Sequence, residues 1–183
     1  GGELMNIPNI LTALRFVLIP IFGYALYNEH YLAAIILFTL GGITDILDGY
    51  IARKYNLVTS FGKLADPIAD KLMQITALIL MTMQELIPGV VLIVVVAKEI
   101  FMGLGSISLY KKHIIISSSW YGKLATVVFY FAIIMTIIFK MSDLSNGYAD
   151  MLVKIFIGVA VASTLFAFVM YVISYRKISN KSK

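Results

Sequence analysis

The segment DILDGYIARKYNLVTSFGKLADPIAD (45–70) joins two apolar stretches and contains four of the ten acidic residues in the chain. The four are Asp45, Asp48, Asp66 and Asp70. LAAIILFTLGGI (32–43) precedes the first aspartate and LMQITALILMTM (72–83) follows the last. If these flanks cross a membrane, the carboxylates lie at membrane depth. Inserting one charged carboxylate there costs about 2.5–3.5 kcal/mol of free energy or more. Ionisable residues in that position indicate a functional site.

The spacing of the aspartates groups them in two pairs. Asp45 and Asp48 are separated by three positions, and Asp66 and Asp70 by four, so each pair shares one face of a helix. Two helices joined by a short loop can direct both pairs into one space. Four carboxylates alone in low dielectric repel one another and bind protons. A cation that binds oxygen removes this conflict.

The type of cation follows from the available ligands. The chain has no Cys and the cluster has no His, so Mg²⁺ or Mn²⁺ fits the site better than Zn²⁺. The alternative is a cluster of salt bridges at the helix ends with nearby basic residues, which are Arg53, Lys54, Lys63 and Lys71.

The composition excludes an ordinary soluble protein. Of the 183 residues, 60% are hydrophobic and only 14% are charged, and the mean hydropathy is +0.91, whereas soluble domains carry about a quarter charged residues. We expect an integral membrane protein with a single domain over residues 1–183, in which residues 1–4 are an expression scar before Met5. The N-terminus lacks the basic region of a signal peptide. The net charge of +5 suits an anionic membrane leaflet and gives no reason to invoke nucleic acid.

The apolar segments predict an all-α protein with six transmembrane helices. A short amphipathic helix in NIPNILTALR (6–15) is expected to lie at the membrane interface before the first of them. The six predicted spans are approximately 16–27, 32–52, 66–84, 90–110, 124–139 and 151–175.

The loops between these spans differ in basic charge. Residues 52–63, 111–123 and 176–183 hold ten of the fifteen Lys and Arg residues, whereas the alternate loops 28–31, 84–88 and 140–150 hold only Lys140. Basic loops remain in the cytoplasm. The termini and the aspartate cluster are therefore predicted to face the cytoplasm, which also fits the absence of Cys.

The full pattern of the segment resembles a known signature. It is Asp45-x2-Asp48-Gly49-x2-Ala52-Arg53-x8-Gly62-x3-Asp66-x3-Asp70. All eight positions match the signature of the CDP-alcohol phosphotransferase family, whose members make phospholipids from CDP-activated substrates at the membrane. The six-span layout and the opening PNILTALR (8–15) are also similar to this family, and the last third of the chain is the least similar part.

The resemblance implies roles for the aspartates. Asp45, Asp48 and Asp66 would bind one or two Mg²⁺ or Mn²⁺ ions, which neutralise charge on the diphosphate during phosphoryl transfer. Asp70 would be the general base for the acceptor hydroxyl, also near the second ion.

The other signature residues are expected to bind the CDP donor. Gly49, Ala52 and Gly62 are small where a nucleotide lies against helix backbone, and Arg53 can bind phosphate oxygens through two N–H groups. The alternatives are close helix packing for the small residues and an anchor at the membrane surface for Arg53.

Two lysines are candidates for binding the second substrate. Lys98, beside Glu99, and Lys123, after Gly122, resemble positions of the glycerol-phosphate phosphatidyltransferases in this family. That group tends to carry an Arg eight residues after the first basic position, where this chain has Ser106. The alternative for Lys98 is an ion pair with Glu99 or with another helix.

The resemblance leaves the acceptor open among glycerol 3-phosphate, phosphatidylglycerol and other alcohols such as serine or inositol phosphate. Transfer from CDP-diacylglycerol to glycerol 3-phosphate is the main hypothesis, and a cardiolipin synthase that uses phosphatidylglycerol is the alternative, because GGITDILDGYIAR (41–53) resembles those enzymes. A homodimer is expected from the resemblance. A divalent-cation transporter is a remote third hypothesis, since it predicts acidic residues near mid-membrane or internal repeats, and neither is apparent.

Overall fold

The computed structural model of the chain describes residues 6–110, 120–142 and 147–181, excluding the side chains of residues 63, 105–110 and 175–181. Within these ranges all regular structure is helical, which confirms the all-α prediction. The helices are α1 Ile7–Tyr27, α2 Tyr31–Lys54, α3 Ser60–Met83, α4 Gly89–Tyr110, α5 Trp120–Met141 and α6 Gly147–Lys181. The predicted scar (1–4) and most of the predicted basic loop 111–123 lie outside the described residues.

Helix α1 is continuous through the segment that we expected to form a separate interfacial helix. The Asn6 side chain caps its first turn by accepting a hydrogen bond from the backbone N–H of Asn9 at 3.0 Å, and Pro8 occupies that turn. Asn9, Thr12 and Arg15 of this segment are buried, whereas Ile7 and Ile10 are exposed. The segment is thus amphipathic, but its polar face packs against protein.

Contacts within the chain divide it into two compact units. The first contains α1, α2 and α3 together with the C-terminal end of α5. In it α1 packs against both α2 and α3, and the rings of Phe22 and Phe38 are 5.2 Å apart in the core. At the C-terminal ends of α1 and α3, the side-chain amide nitrogen of Gln84 donates a hydrogen bond to the backbone carbonyl oxygen of Leu26 at 2.7 Å.

The second unit contains α4, most of α5, and α6. Aromatic pairs join its helices: Phe101 of α4 is 6.4 Å from Phe168 of α6, and Phe131 of α5 is 5.7 Å from Phe156 of α6. The prediction of a single domain over residues 1–183 stays a prediction.

Four of the described helices are long and apolar enough to cross a membrane. They are Ile7–Tyr27, Tyr31–Lys54, Trp120–Met141 and Gly147–Ser174. Helix α3 carries Lys63, Asp66, Asp70 and Lys71 in its first half, which lowers its hydropathy. Large apolar side chains also cover the outer surfaces of the helices, which is typical of a membrane protein.

The close contact of α2 with α3 at Gly41 leads to a prediction about stability. A Cβ atom on Gly41 would lie 2.6 Å from Cε of Met73, a side chain that is itself fully buried. We expect Gly41→Ala to destabilise the protein by about 1 kcal/mol, the low end for overpacking, because the terminal methyl group of the buried Met73 must move to admit the new Cβ. Thermal denaturation in detergent measures this as a lower midpoint.

Gly103 provides the matched control, because a Cβ there meets nothing within 4 Å among the described residues. Gly103→Ala should stabilise its helix slightly, by about 0.5–1 kcal/mol. Equal midpoints for the two variants would contradict the packing of Gly41 against Met73.

Candidate active site

The four aspartates meet where the C-terminal half of α2 approaches the N-terminal half of α3. Asp48 is buried, and Asp45 is 40% exposed. The Asp45 carboxylate is within electrostatic range of Asp66 and Asp70, and that of Asp48 is within range of Asp66 and Asp45. The two pairs therefore share one region, as their spacing predicted.

A cation from α1 lies between the two aspartates of α2. Nη1 of Arg15 is 2.9 Å from Oδ1 of Asp45, and Nη2 forms a salt bridge with Oδ2 of Asp48. Nη1 also approaches the backbone carbonyl oxygen of Asp66 at 3.4 Å. The Arg15 side chain is fully buried, so this guanidinium connects three helices inside the protein.

The remaining polar side chains of α1 hold the start of α3. The Thr12 hydroxyl donates to Oδ1 of Asp66, and Oδ1 of Asn9 accepts a hydrogen bond from the Thr59 hydroxyl at 2.9 Å. Thr59 caps α3 by accepting from the backbone N–H of Gly62 at 3.0 Å. A Cβ on Gly62 would lie 3.1 Å from Oδ1 of Asn9, so this glycine permits the close approach of α1.

The other predicted donor-binding residues lie on the last turns of α2. A Cβ on Gly49 would lie 3.3 Å from Nη1 of Arg53, so the exposed guanidinium rests beside the glycine backbone. Ala52 is half-buried. Gly62 thus lies in close contact with α1, whereas Gly49 approaches only the Arg53 side chain of its own helix. Their roles in donor binding stay predictions.

The chemistry of the cluster suits a divalent cation, but its arrangement does not yet match one. Four carboxylates and no nitrogen or sulfur ligand form a donor set for Mg²⁺ or Mn²⁺. Among the described residues, however, no three acidic, His or Cys side chains are arranged to hold an ion. The Arg15 guanidinium binds Asp45 and Asp48 instead. The fit to such an ion rests on the chemistry of the four carboxylates.

The two lysines predicted to bind the acceptor belong to the second unit. Lys98 forms a salt bridge with the adjacent Glu99 on α4, and both side chains are largely buried. This is the ion pair that the sequence offered as the alternative to acceptor binding. Lys123 is exposed near the start of α5.

The contribution of α1 to the cluster was not predicted from the sequence. Asn9, Thr12 and Arg15 recur at intervals of three residues in an otherwise apolar helix, which places them along one face. All three are buried. The same reasoning that identified Asp45 and Asp48 would have identified this face if it had been applied to α1.

Comparison with known proteins agrees with the signature. The profile of the CDP-alcohol phosphatidyltransferase family matches residues 5–170. Three relatives carry the name CDP-diacylglycerol--glycerol-3-phosphate 3-phosphatidyltransferase. The protein of Rickettsia felis is 45% identical over 97 residues, covering 51% of this chain and 54% of its own length. That of Bacillus subtilis is 40% identical over 111 residues (52% and 58%), and that of Aquifex aeolicus 34% over 125 residues (67% and 70%).

These matches differ in how much of each protein they include. The chain spans about half the length of the Rickettsia and Bacillus relatives that it matches. The family profile, in contrast, covers most of both units and the whole aspartate signature. The chain belongs to the CDP-alcohol phosphatidyltransferase family.

Proposed function

We propose that this protein transfers the phosphatidyl group of CDP-diacylglycerol to glycerol 3-phosphate, which yields phosphatidylglycerolphosphate and CMP. The observation that carries the proposal is the meeting of Asp45, Asp48, Asp66 and Asp70 in one region of a membrane protein of this family. The names of the relatives support the choice of both substrates.

The reaction requires one bond to form and one to break at phosphorus. The acceptor hydroxyl oxygen attacks the phosphorus that carries the diacylglycerol, and the bond from this phosphorus to the bridging oxygen breaks. CMP leaves with that electron pair. Asp70, which is half-buried beside the cluster, takes the hydroxyl proton, so the nucleophile gains charge as the bond forms.

The rest of the signature binds and orients the donor. One or two divalent cations, either Mg²⁺ or Mn²⁺, would be held by Asp45, Asp48 and Asp66, with Asp70 beside the second, and would neutralise charge on the diphosphate when bound. Arg53 is exposed at the end of α2 and binds phosphate oxygens through its paired N–H groups.

The proposed function also includes an orientation of the chain in the membrane. The chain crosses the membrane six times with the basic loops and the aspartate cluster on the cytoplasmic side, as the distribution of Lys and Arg favours. The donor lipid reaches the cluster from the same leaflet. The working form is a homodimer, a state supported by family resemblance alone.

A product analysis tests the proposed reaction. Purified protein receives CDP-diacylglycerol and Mg²⁺ or Mn²⁺, with either glycerol 3-phosphate or phosphatidylglycerol, and the lipid product is identified by mass. We expect phosphatidylglycerolphosphate and an equal amount of CMP. Cardiolipin formed without turnover of glycerol 3-phosphate would assign the alternative acceptor. Divalent-cation flux into sealed vesicles without CMP release would instead indicate a transporter.

The exposed lysine of α5 leads to a prediction about the acceptor. If Lys123 binds the phosphate of glycerol 3-phosphate, Lys123→Ala should raise the KM for this acceptor about tenfold or more, because a hydrogen bond to a charged group contributes about 1.5–3 kcal/mol. Steady-state kinetics with varied acceptor measures the change. The control is Lys154→Ala, which removes another exposed lysine of the second unit. If Lys123→Ala and Lys154→Ala have the same KM for glycerol 3-phosphate, Lys123 does not bind the acceptor and is an anchor at the membrane surface.

A further inference from the structure

Thr12 connects α1 to the aspartate signature through a hydroxyl group. This hydroxyl donates to Oδ1 of Asp66, which lies 54 positions later in the chain. It is also 3.1 Å from the backbone carbonyl oxygen of Pro8, the usual partner of a threonine inside a helix. A hydroxyl has one hydrogen, and a carboxylate is a stronger acceptor than a carbonyl oxygen. Because Thr12 is only 1% exposed, its bond to Asp66 is shielded from water.

An aspartate carboxylate needs such a partner to keep one orientation. The last torsion of an Asp side chain joins a tetrahedral carbon to a planar group, so its rotational preference is weak. Asp66 is half-buried, and Arg15 approaches its backbone carbonyl oxygen at 3.4 Å, a contact that does not fix the carboxylate. The bond from Thr12 to Oδ1 does restrict its rotation.

The second oxygen of Asp66 lies on the side of Gly62. A Cβ on Gly62 would be 3.6 Å from Oδ2 of Asp66. The same Cβ would be 3.1 Å from Oδ1 of Asn9 and 3.2 Å from the hydroxyl oxygen of Thr59, two groups that form a hydrogen bond with each other. Helix α1 therefore contacts the first turns of α3 at two points. With Oδ1 held by Thr12, Oδ2 is the oxygen that remains beside this glycine of the signature.

We infer that Thr12 is a positioning residue of the transfer reaction, whose hydroxyl holds the Asp66 carboxylate with Oδ2 towards the CDP donor. The inference rests on the proposed function, in which Asp66 and Gly62 act on the donor. Thr12 is buried and acts through Asp66. Without its hydroxyl, the carboxylate must be ordered anew each time that the donor binds. The inference gives α1, which lies outside the signature, a part in the reaction.

Substitutions that separate the hydroxyl of Thr12 from its packing test this inference. Thr12→Val keeps the branched shape and loses the hydroxyl, whereas Thr12→Ser keeps the hydroxyl and loses a methyl group. Residues that orient an active-site ligand typically contribute 10–100-fold, so Thr12→Val should lower kcat/KM for CDP-diacylglycerol by about that factor. Thr12→Ser should retain most of the wild-type value. The KM for glycerol 3-phosphate should stay the same in both, because Asp66 acts on the donor.

Thr136→Val is the matched control for these kinetics. Thr136 is also 1% exposed, and its hydroxyl donates to the backbone carbonyl oxygen of Ala132 on its own helix at 2.8 Å. We expect this variant to keep the wild-type kcat/KM. If Thr12→Val cannot be purified in folded form, Thr12→Ala and Thr12→Ser provide the comparison, because these two side chains differ only by the hydroxyl.

A double-mutant cycle measures the same contact without turnover. Melting temperatures in detergent are compared for Thr12→Val, Asp66→Asn and the double variant. Removing the hydroxyl should lower the melting temperature less in Asp66→Asn than in the wild type, because an amide oxygen is a weaker acceptor than a carboxylate. Additive shifts would contradict the bond between the two side chains and overturn the inference.

The kinetic outcomes distinguish this inference from the proposed function. A role in packing alone predicts the reverse order, with Thr12→Ser impaired more than Thr12→Val, and that order would overturn the inference. So would a loss in Thr12→Val no larger than that in Thr136→Val. Cardiolipin formed by the wild type would overturn only the choice of acceptor, and the same variants then decide the inference with phosphatidylglycerol. Wild-type protein that releases no CMP with any acceptor would overturn both.

Discussion

Replacing Asp45, Asp48 or Asp66 with asparagine should reduce CMP release from CDP-diacylglycerol at least about 100-fold. Residues that only support a metal ligand typically contribute 10–100-fold to affinity or activity, so loss of a ligand itself should cost at least as much. Asparagine preserves the shape of each side chain and removes the charge that balances the ion. Initial rates at saturating Mg²⁺ or Mn²⁺ measure the loss.

The three variants should differ in stability. Asp48 is buried against Arg15, whereas Asp45 is 40% exposed, so Asp48→Asn should lower the melting temperature more than Asp45→Asn. Asp150→Asn in the first turn of α6 is the control, because Asp150 is exposed and lies in the second unit. More than a few per cent of the wild-type rate in any of the three variants would remove that aspartate from the proposed ligand set.

Asp70→Asn should lower kcat by about 10²–10⁴-fold, which is the usual contribution of a general base. The KM for CDP-diacylglycerol should change little, because a base acts on the acceptor hydroxyl and not on the donor. Steady-state kinetics with varied donor and with varied acceptor separate the two effects. A rise in the donor KM before any fall in kcat would make Asp70 a metal ligand and not the base.

The sequence predicted the helices and the meeting of the aspartates because both follow from local patterns. Apolar segments of near-membrane length specify helices, and the spacing of three and four residues specifies a shared face. The grouping of Asp45 and Asp48 with Asp66 and Asp70 required only that α2 and α3 be joined by a short loop. Their roles as ligands and base stay predictions.

The partners of these aspartates could not be predicted in the same way. Arg15 lies 33 positions before Asp48, and no local pattern states which helix packs against which. The segment 6–15 was predicted to lie at the membrane interface, since amphipathic character identifies two faces but does not show what each face contacts. The ion pair of Lys98 and Glu99, in contrast, joins adjacent residues and was foreseen as an alternative.

The buried Arg15 has a consequence for biosynthesis. Because the chain is made from its N-terminus at about 5–20 residues per second, Asp48 leaves the ribosome roughly 2–7 s after Arg15. During this interval the arginine of α1 has no aspartate from α2 beside it, and lipid alone is a costly environment for its charge. We therefore expect helix α1 to remain next to water or the insertion machinery until α2 emerges. The two helices would then enter the membrane as a pair, with the salt bridge formed on entry.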